Sequence, residues 1–244
     1  LGYKTGKFSQ VSMAYGKFYQ NPEDDYLVQT NKLDFEQADH YILNYQRINA
    51  GPVFRIESYY KDYKNLVKQS NSVFNNAGDG YARGVDVFWR DKKTFKGIDY
   101  WLSYSFLDTK RDFRNYPVSS VPPFAARHTL NAVYKQYIKQ INSQIGATYT
   151  YASGRTFFNP NNPVYLGDKT KDFQNLSINV SYLTHIFKQF TVVYFSVNNL
   201  PGFKNVYGYH FSDDGQVKQS IEPPARRSVF LGIFLTIGDN TFVR

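Results

Sequence analysis

The 244-residue sequence contains no cysteine, a single methionine, two tryptophans and four histidines. Without cysteine, neither a disulfide framework nor a thiolate metal site is possible. It also lacks any run of 18 or more apolar residues, which excludes a transmembrane helix. Helical periodicity is nearly absent, and there is no internal repeat or low-complexity tract. His40, His128, His185 and His210 show no metal-ligand spacing, so no metal and no cofactor is expected. A G-x-S-x-G elbow is missing too. Gly78, Gly80 and Gly84 are not followed by a helix that could complete a phosphate cradle. The chain is therefore not expected to be an enzyme.

Hydrophobic residues make up only 42% of the chain, yet aromatics reach 18%, with 22 Tyr and 21 Phe. Aromatics favour strands and membrane–water interfaces. The formal net charge is +9. Lys and Arg are dispersed, with no run of five and no helix to carry a basic stripe. Basic residues spread over loops and lumen-facing positions account for this better than nucleic-acid binding, and no nucleic-acid partner is expected.

What the sequence does have is alternation at period two. It predicts about ten strands, near 6–17, 39–49, 53–62, 81–91, 98–109, 127–138, 141–152, 174–184, 189–199 and 227–238. The stretch FQNLSINVSYLT is the clearest: Leu176, Ile178, Val180 and Tyr182 alternate with Asn175, Ser177, Asn179 and Ser181. Leu231, Ile233 and Leu235 form the apolar side of the last strand. Several strands run about 10–12 residues, twice the globular norm and matched to a tilted membrane crossing of roughly 9–11. The connections alternate between long polar segments (18–38, 63–80, 110–126, 153–173, 200–226) and short ones near 49–52, 92–97, 138–140 and 185–188. Such sorting characterises outer-membrane barrels, whose tight turns and long loops lie on opposite rims. The expected fold is thus an all-β, antiparallel transmembrane β-barrel. Leu176, Ile178, Val180, Tyr182, Leu231, Ile233 and Leu235 face lipid, the polar alternates face the lumen, and the strand count is even. The long-loop rim is extracellular, so the first strand runs outward.

Several segments carry a family resemblance. SMAYGKFYQNPEDDYL (Ser12–Leu27), LDFEQADHYILNYQ (Leu33–Gln46, with Phe35 where proline is usual) and RIESYYKDYKNLV (Arg55–Val67) follow one another in order. NAGDGYARGVDVFWR (Asn76–Arg90) matches an N-x-G-x-x-x-x-G-[VI]-[ED] pattern with Gly80, Gly84, Val85 and Asp86 in place. VPPFAARHTLN, FSVNNLPGFKNVYGY and EPPARRSVFLGIFLTIG complete the series. Together they resemble the C-terminal part of a TonB-dependent outer-membrane receptor barrel. That resemblance implies a bacterial outer-membrane location and about ten strands of a 22-stranded barrel, with the plug domain absent from residues 1–244. It further implies TonB-powered uptake of a scarce nutrient of the siderophore, cobalamin, glycan or peptide class. Its expected partners are outer-membrane lipid, the TonB system through a plug outside this sequence, the remaining strands of the barrel, and a surface lipoprotein. The first residues lack a basic segment followed by an apolar one, so no signal peptide is expected there. The start, already in alternation, favours a piece of a larger receptor over a stand-alone ten-stranded barrel. The alternative function is a non-transporting barrel, acting as a structural subunit or an adhesin.

Candidate ligand-binding residues come from the two longest loops, whose mixture of aromatic, amide and basic side chains can stack on and hydrogen-bond a polar ligand. They are Arg155, Phe157 and Phe158 in the first, and Tyr207, Tyr209 and His210 in the second. The competing use for these aromatics is to pin the loops to one another or to join an interfacial girdle. Phe242 is the expected C-terminal aromatic.

Overall fold

The structure is a computed structural model that describes residues 1–49, 51–70 and 73–237. Eleven strands form one antiparallel sheet. In chain order they begin with β1 (Gly2–Gly6), β2 (Ser9–Gln20), β3 (Glu36–Ile48), β4 (Val53–Ser70) and β5 (Val73–Asp91). β6 (Ile98–Asp112), β7 (His128–Ile138) and β8 (Ser143–Ala152) follow. Two short strands, β9 (Thr156–Phe157) and β10 (Asp168–Lys169), pair within a loop. The sheet resumes with β11 (Phe173–Ile186) and β12 (Gln189–Asn198). A second loop hairpin, β13 (Gly208–Phe211) and β14 (Lys218–Ile221), precedes the last strand, β15 (Ser228–Leu235). Apart from those two loop hairpins, every strand pairs with its neighbour in sequence. Among the described residues no helix is long and apolar enough to cross a membrane.

The register decides which side chains share a face, because residues paired across strands point the same way. Val180 pairs with Ile145 on β8 and Phe195 on β12, and Phe195 with Leu231 on β15. Tyr149 continues the same face to Ala132, Leu102, Trp89 and Phe54. Tyr45 and Val11 carry it to Tyr3 on β1. One apolar face therefore runs unbroken across all eleven strands. Much of it is bare: Met13, Leu43, Leu102, Leu231 and Ile233 are exposed. Extended contiguous apolar surfaces are rare on water-soluble monomers.

The opposite face carries Ser103, Ser105, Gln144, Thr148 and the Asn175–Ser181 alternates. Arg90 grips Asp99 there through both carboxylate oxygens (2.9 and 2.6 Å), and its guanidinium lies 5.4 Å from the Trp101 ring. This face is less uniformly polar than the alternation suggests, since Trp101, Tyr194, Phe230 and Phe234 share it. Tyr194 and Phe230 pack at 6.0 Å.

Two expectations are corrected. The strand predicted at 6–17 corresponds to β2, and a further strand, β1, precedes it across a tight turn at Lys7–Phe8, so among the described residues the sheet has eleven strands and not an even ten. The added turn lies on the short-turn rim, so the predicted phase of long and short connections is unchanged. The loop predicted at 63–80 is largely strand, because β4 continues to Ser70 and β5 starts at Val73. Register shifts beside Leu66, with Asn65 at φ 57°, bend this extension. Asn76 steadies it by donating to Asn65 O (2.8 Å) and Asp34 O (3.0 Å). His40 lies in β3, within the strand predicted at 39–49. Phe242 and Gly238 fall outside the described residues.

Short turns are fixed locally. Asp91 accepts the backbone N–H groups of Lys93 (2.8 Å) and Thr94 (3.0 Å), which closes the turn before β6. Phe187 and Lys188 both take positive φ (50° and 64°), the twist a two-residue hairpin between right-handed strands requires. Of the glycines in the sheet strands, Gly84 leaves the least room for a side chain. A Cβ there would lie 2.2 Å from Phe106 O and 2.5 Å from the Tyr59 hydroxyl. Gly84→Ala is expected to destabilise the barrel by about 1–3 kcal/mol through this overlap with unyielding backbone. A urea titration of protein refolded into lipid vesicles checks it, and an unchanged midpoint would contradict the packing.

Candidate ligand-binding mouth

At the rim opposite the short turns, the connections 113–127, 153–172 and 199–227 fold over the polar face. Side-chain amides do much of the work that strands do below. Asn205, buried, accepts the backbone N–H of Gln174 (3.0 Å) and donates to its carbonyl (2.9 Å), imitating one rung of a β-ladder on β11. Asn199, also buried and at φ 52°, donates to the carbonyls of Phe203 (2.8 Å) and Arg226 (2.6 Å), which ties both feet of the 199–227 loop together. Buried backbone polar groups need such partners wherever the ladder stops.

The other two loops are stitched to each other. Arg111 and Ser120 exchange backbone hydrogen bonds (2.9 and 3.0 Å), and the Thr156 hydroxyl donates to Val121 O (2.8 Å). The Arg111 guanidinium lies 4.2 Å from the Tyr63 ring centroid, 5.3 Å from Phe124 and 5.6 Å from Phe113. Its Nε is shielded from solvent without a hydrogen-bond partner. Tyr116 bridges from Phe113 (4.9 Å) to Tyr165 (5.2 Å), and burial raises the pKa of both phenols. Within 153–172, Asp168 accepts from the Asn159 amide (2.5 Å) and the Asn162 amide (2.8 Å). These hydrogen bonds hold its carboxyl below the usual aspartate range.

A cavity of about 500 Å³ opens between these loops and the upper polar face. Thr129, Asn131, Thr150 and Phe173 line its barrel side, Arg155 and Lys171 one loop side, and Val206 and Tyr207 the other. A shallower apolar groove of about 570 Å³ lies elsewhere, along Met13, Tyr15, Tyr41, Leu43 and Tyr60. Its lining belongs mostly to the apolar face.

The six residues predicted as ligand contacts divide into three groups. Arg155 and Tyr207 line the cavity, and Tyr207 stacks on Phe173 at 6.3 Å and 23°. Phe157 is buried against Tyr209 (4.7 Å) and Phe211 (6.3 Å), with the Lys218 ammonium 3.9 Å from the Tyr209 ring and 4.7 Å from Phe157. That contact pins the β13–β14 hairpin onto the 153–172 loop. Phe158 is exposed beside Tyr165 (6.0 Å), and His210 is exposed on β13 opposite Gln219. Neither lines the cavity. Sequence reasoning missed Lys171, Thr129, Asn131, Thr150 and Phe173. The last four are alternates nearest the long loops, a signal that was available.

A family model described as TonB dependent receptor-like, beta-barrel matches residues 2–200. The chain belongs to this family. This TonB-dependent receptor barrel is accordingly a bacterial outer-membrane protein, and its open sheet is part of a larger barrel. The ferric-catecholate import receptor Fiu from Escherichia coli K12 superposes with a TM-score of 0.71 at 12% identity, over 95% of this chain and 33% of Fiu. The siderophore receptor PiuA from Acinetobacter baumannii gives 0.73 at 10% identity, over 96% and 35%. The FrpB iron transporter from Neisseria meningitidis gives 0.70 at 14%, over 95% and 37%. The receptor chain in hand thus spans about a third of the length of these proteins. At such identities the likeness carries the fold alone. Among curated proteins, none matches.

Because the Asp168 carboxylate is stabilised in the folded loop, its contribution is fully present above the unfolded aspartate pKa. It is lost as pH falls through the lower folded value. The 153–172 loop is expected to loosen below about pH 4, read as faster proteolysis by an acid-active protease, and Asp168→Asn is expected to flatten that dependence. Equal pH sensitivity in wild type and Asp168→Asn would contradict the assignment.

Proposed function

We propose that residues 1–244 are the C-terminal portion of one outer-membrane barrel domain, in a receptor that imports a scarce nutrient with energy delivered by TonB. The observation that carries this reading is the unbroken apolar face, combined with long connections gathered at one rim, in a chain of the TonB-dependent receptor family. In this reading Leu176, Ile178, Val180, Tyr182, Leu231, Ile233 and Leu235 meet lipid, and the polar face lines the lumen. A plug supplied outside these residues fills that lumen and transmits TonB action. The nutrient is of the siderophore, cobalamin, glycan or peptide class, and it binds at the loop-covered mouth. The likeness to Fiu, PiuA and FrpB, a ferric-catecholate import receptor, a siderophore receptor and an iron transporter, makes iron chelates the first class to test. Arg155, Phe157, Phe158, Tyr207, Tyr209 and His210 remain the loop residues proposed to shape that site, with Arg155 and Tyr207 favoured by their place on the cavity.

Two experiments test the reading. Val180→Arg is expected to cost on the order of 2–4 kcal/mol in a membrane-refolding titration, whereas Ser181→Arg, one residue along on the polar face, costs far less. Equal costs would overturn the face assignment. Accumulation of labelled ferric chelates and cobalamin by cells carrying the receptor is expected to vanish when TonB is deleted, while binding at the cell surface persists. Accumulation that survives TonB deletion, or surface binding with no accumulation in either strain, would instead support a non-transporting barrel.

A further inference from the structure

Along the sequence the basic residues are scattered, but in space their excess is not. Among the described residues, eleven Lys and Arg lie within four residues of a short turn, against two carboxylates. The other described Lys and Arg are matched in number by Asp and Glu, seventeen of each. The net charge of +9 therefore belongs to the short-turn rim. Both carboxylates there are already engaged: Asp99 by Arg90, and Asp91 by the backbone N–H groups of Lys93 and Thr94. Lys4, Lys7, Lys92, Lys96 and Lys139 are exposed and form no ion pair among the described residues. Each of the five short turns also joins a cation to an exposed large apolar side chain. Lys7 adjoins Phe8, Arg47 adjoins Ile48, Lys96 adjoins Phe95, Lys188 adjoins Phe187, and Lys139 lies two residues from Ile141. The Lys7 ammonium stands 5.3 Å from the centre of the Phe8 ring.

We propose that this rim binds the headgroups of anionic phospholipids in the periplasmic leaflet of the outer membrane. Outer-membrane barrels turn their short connections toward the periplasm, which places the rim at the surface of that leaflet. Neighbouring strands lie about 4.8 Å apart, so successive hairpin turns follow one another at about 10 Å. The Debye length at physiological salt is about 8 Å, so the cations of adjacent turns still repel one another. A layer of phosphates relieves these repulsions together, and each Lys or Arg near such a layer is attracted to it. Exposure to solvent is what this role requires, since the headgroups approach from outside the protein. A soluble acidic chain would supply the charge but leave the five apolar side chains in water. Lipid accepts both, with the aromatic and aliphatic groups at the acyl boundary and the cations at the phosphates. The recognised class is thus a lipid of net negative charge, such as phosphatidylglycerol, in preference to zwitterionic phosphatidylcholine. The long-loop rim, where charges balance, has no such preference.

The test is made on the full-length receptor in phosphatidylcholine bilayers carrying a trace of spin-labelled phosphatidylglycerol or spin-labelled phosphatidylcholine. The motionally restricted fraction of each probe gives its relative association with the protein. Phosphatidylglycerol is expected to associate at least about threefold more strongly, and the preference is expected to shrink as salt rises. Substituting Lys7→Gln, Lys92→Gln, Lys96→Gln and Lys139→Gln together is expected to reduce that preference about twofold or more. Removing four charges from the long loops, by Lys32→Gln, Lys169→Gln, Lys204→Gln and Arg226→Gln, is expected to leave it unchanged. Soluble polyglutamate added at the same charge concentration is likewise expected to leave it unchanged, because it offers no acyl boundary to the apolar side chains. Equal association of the two lipids, or equal loss in the two quadruple variants, would overturn the proposal. A preference abolished by polyglutamate would also overturn it, and would assign the rim to a soluble acidic partner.

Discussion

Every backbone N–H and C=O that enters hydrocarbon must find a partner within the protein, because the bilayer interior offers none. The rest of this structure follows from that requirement. A sheet in which each strand pairs with the next satisfies it strand by strand, and the ladders join all eleven strands of the sheet, with register shifts beside Leu66 and between Lys4 and Gly6. Only the two outermost edges are left open, and an open edge is intolerable in lipid. The family assignment gives the resolution: eleven strands are part of a larger closed barrel. The apolar face is the second expression of the same constraint, since a paired backbone still needs side chains that the bilayer accepts.

Above the bilayer the constraint relaxes, because water can satisfy what the ladder leaves unpaired. There the structure changes its means. Asn76, Asn159, Asn162, Asn199 and Asn205 each hold backbone or carboxylate groups that no strand reaches. A carboxamide is suited to this because it donates and accepts at once, as a peptide unit does. The loops covering the mouth are thereby given fixed shapes without a hydrophobic core. Aromatic contacts such as Phe157 on Tyr209 and Arg111 over Tyr63 supply apolar burial between loops that have little else to bury.

How much of this could be read from the residues follows the same boundary. Period-two alternation made the two sides of β11 legible down to single positions, whereas on β15 only the Leu231–Leu235 side was, because Phe230 and Phe234 occupy the other. The 63–80 segment was not, because KNLVKQSNSVFNNAGDG is polar on both faces. Beyond lipid a strand has no reason to alternate, and such a stretch reads as a loop. The β1–β2 hairpin was missed for the opposite reason: its turn is too brief to interrupt the alternation. At the mouth, Arg155 and Tyr207 were recognisable by chemical type. The cavity they share with Lys171 and Phe173 depends on how three separate loops meet, and no local pattern encodes that. Phe157 and Tyr209 were also recognised, but their contact with each other and with Lys218 exists only in three dimensions.

The register also governs how such a chain can change length. On β11 the even-numbered residues from 176 to 182 hold one face and the odd-numbered ones the other, so inserting one residue would invert every side chain beyond it. Inserting two would restore the faces at the expense of a small shift in the ladder. Within the spans, the sequence therefore behaves like a message read in pairs, where gains and losses survive only in even steps. The connections at the mouth obey no such arithmetic and can lengthen by any number. Recognition at the rim is thus free to diversify while the wall beneath it stays in phase.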